Sequence, residues 1–236
     1  MASAGADIHD EVMSSPSVRP ASSVLVVREA PMSKGGPIEV LMVERPSQAS
    51  FGGLMVFPGG ALEECDFAEN APFDDAPFRI AGMRETAEEV GFVPTERGYA
   101  QTPPVRGGEL IASWAKMDEA PSLDRMTLVS RWVTPKGQPV RFDTRFYLVG
   151  LEGDPEIVLD ESELEGHEWV SPHTALARAE SGSWQLILPT FSHLRWLSRW
   201  RSIAEAVGAA GSADGLTVIE PVIEDGSPVV RYRGAR

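Results

Sequence analysis

Glu85, Glu88 and Glu89 stand at i, i+3 and i+4. On a helix that spacing gathers three carboxylates within an arc of about 100°. Ile80, Met83, Ala87 and Val90 fall within a separate arc of about 80°, so a helix here has one core face and one acid face. The acids repel one another by roughly a few tenths of a kcal/mol per pair on a solvated helix, and by more on a recessed one. Two readings follow. The acids form an ordinary solvated face, or they hold a hard divalent cation that removes their conflict. Carboxylate and carbonyl oxygens with room for water and phosphate oxygens are the surroundings that Mg²⁺ prefers. The chemistry of such a site is phosphoryl transfer to water.

The elements that must position these acids are readable on either side. Pro77 opens the acid-bearing helix and Gly91 closes it. Gly82 inside it costs about 1 kcal/mol relative to Ala, and close packing of the Pro58, Gly59 and Gly60 turn is the expected reason. Before the helix, residues 24–27 and 40–43 read as strands joined by a turn-rich loop, and residues 54–57 as a third short run. After it, Leu110, Ile111, Trp114 and Met117 suggest a helix, 127–133 and 142–150 a strand pair, and 168–170 a short strand. Ser171 and Pro172 begin a further helix that ends at Gly182. Residues 190–207 read as one packed helix with Leu194, Leu197, Ile203 and Val207 on its apolar face. Strands interleaved with helices predict an α+β fold, a mixed sheet covered on both sides by helices.

Residues 84–92, RETAEEVGF, reproduce the second half of the Nudix box, with Thr86 at its apolar position. Upstream, residues 60–66 fit the first half except that Asp66 replaces glutamate, and 17 residues rather than the usual seven separate Asp66 from Arg84. The chain thus resembles the Nudix hydrolases, whose fold is an α/β/α sandwich. The resemblance implies Glu85, Glu88 and Glu89 as metal ligands, the Gly59 carbonyl as a further ligand, and Arg84 as the residue that orients a box glutamate. The metal is expected to be Mg²⁺, with Mn²⁺ as a substitute. Taken alone, Arg84 reads equally well as a surface ion pair. The flanking runs VERPS (43–47), FGGLMVFPGG (51–60), RWVTP (131–135), RFDTRF (141–146) and LPT (188–190) are similar to the branch containing peroxisomal-type coenzyme A diphosphatases and their bacterial relatives. Coenzyme A or an acyl-coenzyme A is the expected substrate, with ADP-ribose, NADH and nucleotide sugars as alternatives. A nucleotide-sensing regulator that does not cleave its ligand is the alternative of another class.

Arg141, Asp143 and Arg145 alternate on a strand and share one face. They bind substrate phosphate through arginine forks or form a cross-strand charge ladder; Arg45 carries the same ambiguity. Of the acids in 161–165, Glu161, Glu163 and Glu165 compete with the box glutamates for the role of proton acceptor. His9, His167, His173 and His193 show no paired metal spacing, and neither a Ser nor a Cys nucleophile motif is present. Trp196 and Trp200, with Arg195, Arg199 and Arg201, read as helix packing or a homodimer contact.

Composition bounds the rest. A chain of 236 residues, 42% hydrophobic and 24% charged, suits one globular domain, expected over 21–236, preceded by a flexible Ala, Ser and Pro rich tail over 1–20. The formal charge, 21 − 35 = −14, disfavours nucleic-acid or anionic membrane partners. A single Cys65, no secretory signal and no bilayer-spanning run predict a cytoplasmic protein; a small nucleotide diphosphate as its partner is what the resemblance implies.

Overall fold

β-branched and apolar residues at 24–27 form the centre of strand β1 (Val18–Glu29) in the computed structural model, which describes residues 18–30, 37–46, 53–67, 74–211, 218–219, 221–224 and 227–229. β1 begins three residues inside the expected tail; residues 1–17 lie outside the described residues. It pairs in parallel with β8 (Arg141–Leu151) from Val18 opposite Arg141 to Arg28 opposite Leu151. On its other side β1 is shared. Its end pairs antiparallel with β2 (Ile38–Glu44) from Val27 onward, while Ala21, Ser22 and Ser23 pair with β4 (Gly59–Ala61). β3 (Met55–Val56) and β9 (Gly166–Val170) flank β2, β7 (Thr127–Val133) flanks β8, and β10 (Val218–Ile219) lies on β7, which completes a mixed sheet.

Alternation along each strand fills two apolar layers. Leu25 and Val27 join Val40, Met42, Trp132, Phe146 and Leu148 on one face, closed by Leu194, Leu197 and Ala206. Val24 and Val26 join Leu41, Val43, Tyr147 and Val149 on the other, closed by Met83 and Val90. Helix α1 (Ala76–Val90) covers this second face. It starts with Pro in its first turn and ends where Gly91, in the left-handed conformation, donates its N–H to Ala87 O at 2.9 Å. α2 (Gly107–Trp114) packs beside α1, and α3 (Pro172–Glu180), α4 (Leu188–Leu197) and α5 (Ile203–Gly211) serve the opposite face. The result is the expected α/β/α sandwich.

One expectation about an element is corrected, and one element was not anticipated. The single helix over 190–207 is two, α4 and α5. The Ser202 hydroxyl accepts from Glu205 N–H at 3.2 Å and Glu205 Oε2 accepts from Arg201 N–H at 2.8 Å, a Ser-x-x-Glu start signal that opens a new helix within the apolar pattern. Strands β5 (Phe92–Thr95) and β6 (Gly98–Gln101) form a separate hairpin that periodicity did not suggest. A further small hairpin joins β11 (Val222–Glu224) and β12 (Ser227–Val229).

Candidate active site

Because β2 leaves the edge of β1 free at Ala21, Ser22 and Ser23, the turn at Pro58 docks there. Val24 N–H donates to Pro58 O at 2.8 Å and the Ser23 hydroxyl donates to the same oxygen at 3.3 Å. Gly59 lies at φ +151°, and a Cβ there would sit 2.3 Å from Ser22 O and 2.7 Å from Ser23 Cα. These are backbone atoms that cannot yield, so the position admits no side chain. A Cβ on Gly60 would meet the Glu85 carboxylate at 2.4 Å. Gly59 thus lets the turn lie directly on the β1 backbone, and Gly60 leaves room for the Glu85 carboxylate. Gly82 serves a different contact from the one expected: its neighbours are Ser22 Oγ, Val24 Cγ2 and Met126 Cε, not the Pro58 turn.

The acid face of α1 is recessed, which overturns the solvated-surface reading. Glu89 is 5% exposed and Arg84 0%. Glu89 Oε2 accepts from Gly59 N–H at 2.9 Å. Glu88 Oε1 accepts from Gly107 N–H, the first residue of α2, at 2.6 Å, and its Oε2 lies 3.2 Å from Arg84 Nη1. Arg84 Nη1 also donates to Glu85 Oε1 at 2.9 Å, and Nη2 to Ala61 O at 3.1 Å. The rest of the guanidinium is held by Asp66, with Nε to Oδ1 at 2.9 Å and Nη2 to Oδ2 at 3.0 Å. Asp66, fully buried in a short 3-10 turn (Glu64–Asp66), is therefore the partner of Arg84 across the box insertion, and it also accepts from Glu63 N–H at 2.7 Å. Residues 68–73 of that insertion lie outside the described residues.

Burial and mutual repulsion work against the charge of these acids. Burial, with help from Glu88 and Glu163, raises Glu85 to about 7 against the opposing pull of Arg84. Burial and then Glu85 push Glu89 up to about 8, partly offset by the Gly59 N–H and the charge of Arg45. Burial disfavours the charge of Arg84 as well, but the Asp66 hydrogen bonds and the charges of Glu85, Asp66 and Glu88 outweigh it and its pKa is raised.

The donor set fits a hard cation. Its carboxylate oxygens are hard donors, and the raised acids are groups that a positive charge would restore to their ionised form. Among the described residues no three Asp, Glu, His or Cys side chains form a closed ligand cage. Mg²⁺ does not demand one, since it keeps several waters and takes one or two carboxylates.

Of the remaining candidates, Arg45 is near enough to act on Glu89. It is exposed at the end of β2, and its backbone N–H donates to Leu54 O at 3.1 Å. Arg141 and Arg145 belong to other surroundings. Arg141 Nε donates to Thr134 O and Pro135 O at 3.0 and 3.2 Å, and the Arg145 guanidinium lies over the Phe78 ring, 3.8 Å from its centroid. Asp143 pairs with Arg131 of β7, with Nε to Oδ1 at 2.6 Å. Glu163 acts on both Glu85 and Glu89 and is paired with Arg106. Sequence reasoning missed Arg106 and Gly107, whose only signal is a glycine pair opening an apolar helical pattern. His193 is a buried core residue, its ring 2.7 Å from Ser130 Oγ and 2.7 Å from Pro189 O.

A mixed sheet between helical layers, with a carboxylate helix pressed onto a Gly-Gly turn, defines an α/β/α sandwich with an acid-lined site on one face. This chain belongs to the Nudix hydrolase family, whose NUDIX domain model matches residues 19–188. It is similar to nudix hydrolase 7 of Caenorhabditis elegans, 31% identical over 169 residues, which cover 68% of this chain and 56% of that protein. It is also similar to the human acyl-coenzyme A diphosphatase, 27% identical over an alignment 244 positions long that covers 74% of this chain and 65% of that one. The chain therefore spans between about half and two thirds of the length of these two relatives. The crystal structure of a NUDIX hydrolase from Alicyclobacillus acidocaldarius superposes with a TM-score of 0.68 at 29% identity, covering 86% of this chain and 98% of that structure. Among the described residues no helix is long and apolar enough to cross a membrane.

Proposed function

We propose that the chain hydrolyses the diphosphate link of a nucleoside diphosphate derivative in the presence of Mg²⁺, with coenzyme A or an acyl-coenzyme A as the leading substrate. The observation that carries the reading is the recessed acid face, where Glu85 and Glu89 are pushed toward neutrality beside a turn whose Gly59 admits no side chain. Glu85, Glu88, Glu89 and the Gly59 carbonyl would hold the cation, Mg²⁺ or in its place Mn²⁺. When bound, it supplies neutralisation of the diphosphate oxygens and a more acidic water. Arg84, fixed by Asp66, keeps Glu85 and Glu88 in register. Arg45, exposed beside Glu89, offers its fork to a substrate phosphate. We assign Arg141 and Arg145 to the sheet: Arg141 Nε donates to two backbone carbonyls of the β7–β8 connection, and the Arg145 guanidinium lies over the Phe78 ring and acts on the Tyr147 hydroxyl of its own strand.

The preference for coenzyme A rests on the likeness to the human acyl-coenzyme A diphosphatase and on the flanking runs. ADP-ribose, NADH and a nucleotide sugar are the competing substrates. The test is incubation of each compound with the protein and Mg²⁺, followed by mass spectrometry of the products. Two phosphomonoesters from cleavage between the phosphorus atoms are expected, with turnover reduced by at least about 10²-fold in Glu89→Gln. Binding without products would sink the hydrolytic reading in favour of a nucleotide sensor.

A further inference from the structure

One side of the acid face is closed by residues that the proposed reaction leaves without a role. Gly107 grips Glu88 through its N–H, and the residue before it, Arg106, reaches across to the turn at 160–165. Its guanidinium pairs with Glu163 Oε1 at 2.6 Å and with Asp160. That turn is laid along the end of α1. Val158 N–H donates to Val90 O at 3.1 Å and Asp160 N–H to Glu89 O at 3.2 Å. Ser162 donates its N–H to Asp160 Oδ1 at 2.9 Å, and Leu164 is buried beneath. Arg106 therefore links two segments, each bonded independently to a box glutamate, α2 through Glu88 and the turn through Glu89.

We propose that Arg106 is a positioning residue: it seats the 160–165 turn against α1 so that Glu163, rather than Glu161 or Glu165, faces Glu85 and Glu89. The proposal rests on the hydrolytic reading above. Glu161 is exposed, and Glu165 lies beyond the buried Leu164, where its N–H donates to Glu44 O at 2.9 Å and draws the chain toward β2. Glu163 alone of the three is held by Arg106. The Arg106 side chain is 46% exposed and that of Glu163 44%. Half-exposed pairs of this kind contribute little to folding, so loss of the contact is expected to move the turn and not to unfold the protein.

Hydrogen exchange on the metal-free full chain, comparing Arg106→Gln, Arg106→Lys and the surface control Arg97→Gln, reads the positioning directly. Amides over 158–164 should exchange about tenfold faster in Arg106→Gln than in the other two, as expected for a locally loosened segment. Kinetics with Mg²⁺ and whichever of coenzyme A, ADP-ribose and NADH the wild type cleaves supply the second readout. Arg106→Gln should lower kcat by about 10- to 10²-fold with KM unchanged, Lys should recover part of it, and adding Glu163→Gln should cost little more because the two act as a unit. Unchanged exchange at 158–164 overturns the proposal. So does a rise in KM at constant kcat, which would make Arg106 a substrate contact, or full additivity with Glu163→Gln. A wild type that cleaves none of the compounds counts against the hydrolytic reading instead, and the exchange result still decides whether Arg106 seats the turn.

Discussion

Arg84 is the most heavily committed side chain in the site, with Asp66, Glu85, Glu88 and Ala61 O sharing its donors. Removing Asp66 strips Nε and Nη2 of this buried guanidinium of their carboxylate while Glu85 and Glu88 stay on Nη1, and the loss of a partner from a buried ionic cluster costs about 3–5 kcal/mol. Asp66→Ala should therefore lower the melting temperature by roughly 6–20 °C at this chain length. Glu63→Gln, whose side chain is 57% exposed and 3.8 Å from Arg84, should change it by little; equal melting losses in the two variants would refute the role given to Asp66. Glu89 makes a second prediction through its pKa. A carboxyl raised to about 8 when folded holds its proton more tightly than in the unfolded chain. The stability it contributes is then present below the ordinary carboxylate range and lost as pH rises toward 8. Thermal melts of the metal-free protein should fall between about pH 5 and 8, Glu89→Gln should flatten that slope, and millimolar Mg²⁺ should raise the melting temperature at pH 8 by mass action. A melt independent of pH and Mg²⁺ would count against the site.

Helix α1 works because it is pressed onto the sheet along most of its length, and Gly82 measures how closely. A Cβ at that position would lie 2.8 Å from Ser22 Oγ and Val24 Cγ2 and 3.0 Å from Met126 Cε. Ala gains about 1 kcal/mol in helix propensity, against roughly 1–3 kcal/mol for overpacking a filled core. Gly82→Ala should be net destabilising, and because the helix carries the acids any shift should also lower kcat; a stabilised, fully active variant would show that the contact relaxes freely. This helix was legible in the sequence because Pro77, Gly91 and the apolar spacing agree. The acid face was legible as a pattern but its burial was not, since the turn that covers it comes from 25 to 30 residues upstream. The break between α4 and α5 was visible in Ser202 and Glu205, yet the continuous apolar face masked it. The hairpin of β5 and β6 lacks a strong alternating pattern: Val93 and Ala100 pack toward α2 while Phe92 and Tyr99 pack toward the main core, so neither strand has a plainly solvated side.

At the scale of the molecule, sequence established the layers and their order but not the pairing that joins them. Nothing local in 18–28 or 141–151 says that these two segments are neighbours, or that they run parallel. β1 reaches back to Val18 for the same reason: Val18, Arg19 and Pro20 are exposed and compositionally plain, and they are strand because β8 is there to receive them. The consequence is kinetic. The longest ladder of the sheet closes between residues 123 positions apart, Val18 with Arg141, and the Gly59 and Gly60 turn is seated on the same β1. Chains dominated by such distant pairings fold in about milliseconds to seconds. A ribosome must complete β8 before β1 has its neighbour, so Gly59, Glu85 and Glu89 are brought together late, after most of the chain has emerged. Stopped-flow refolding should show Trp132 burial and recovery of Mg²⁺ binding in one slow phase; metal binding that precedes core burial would mean that the acid site assembles without its sheet.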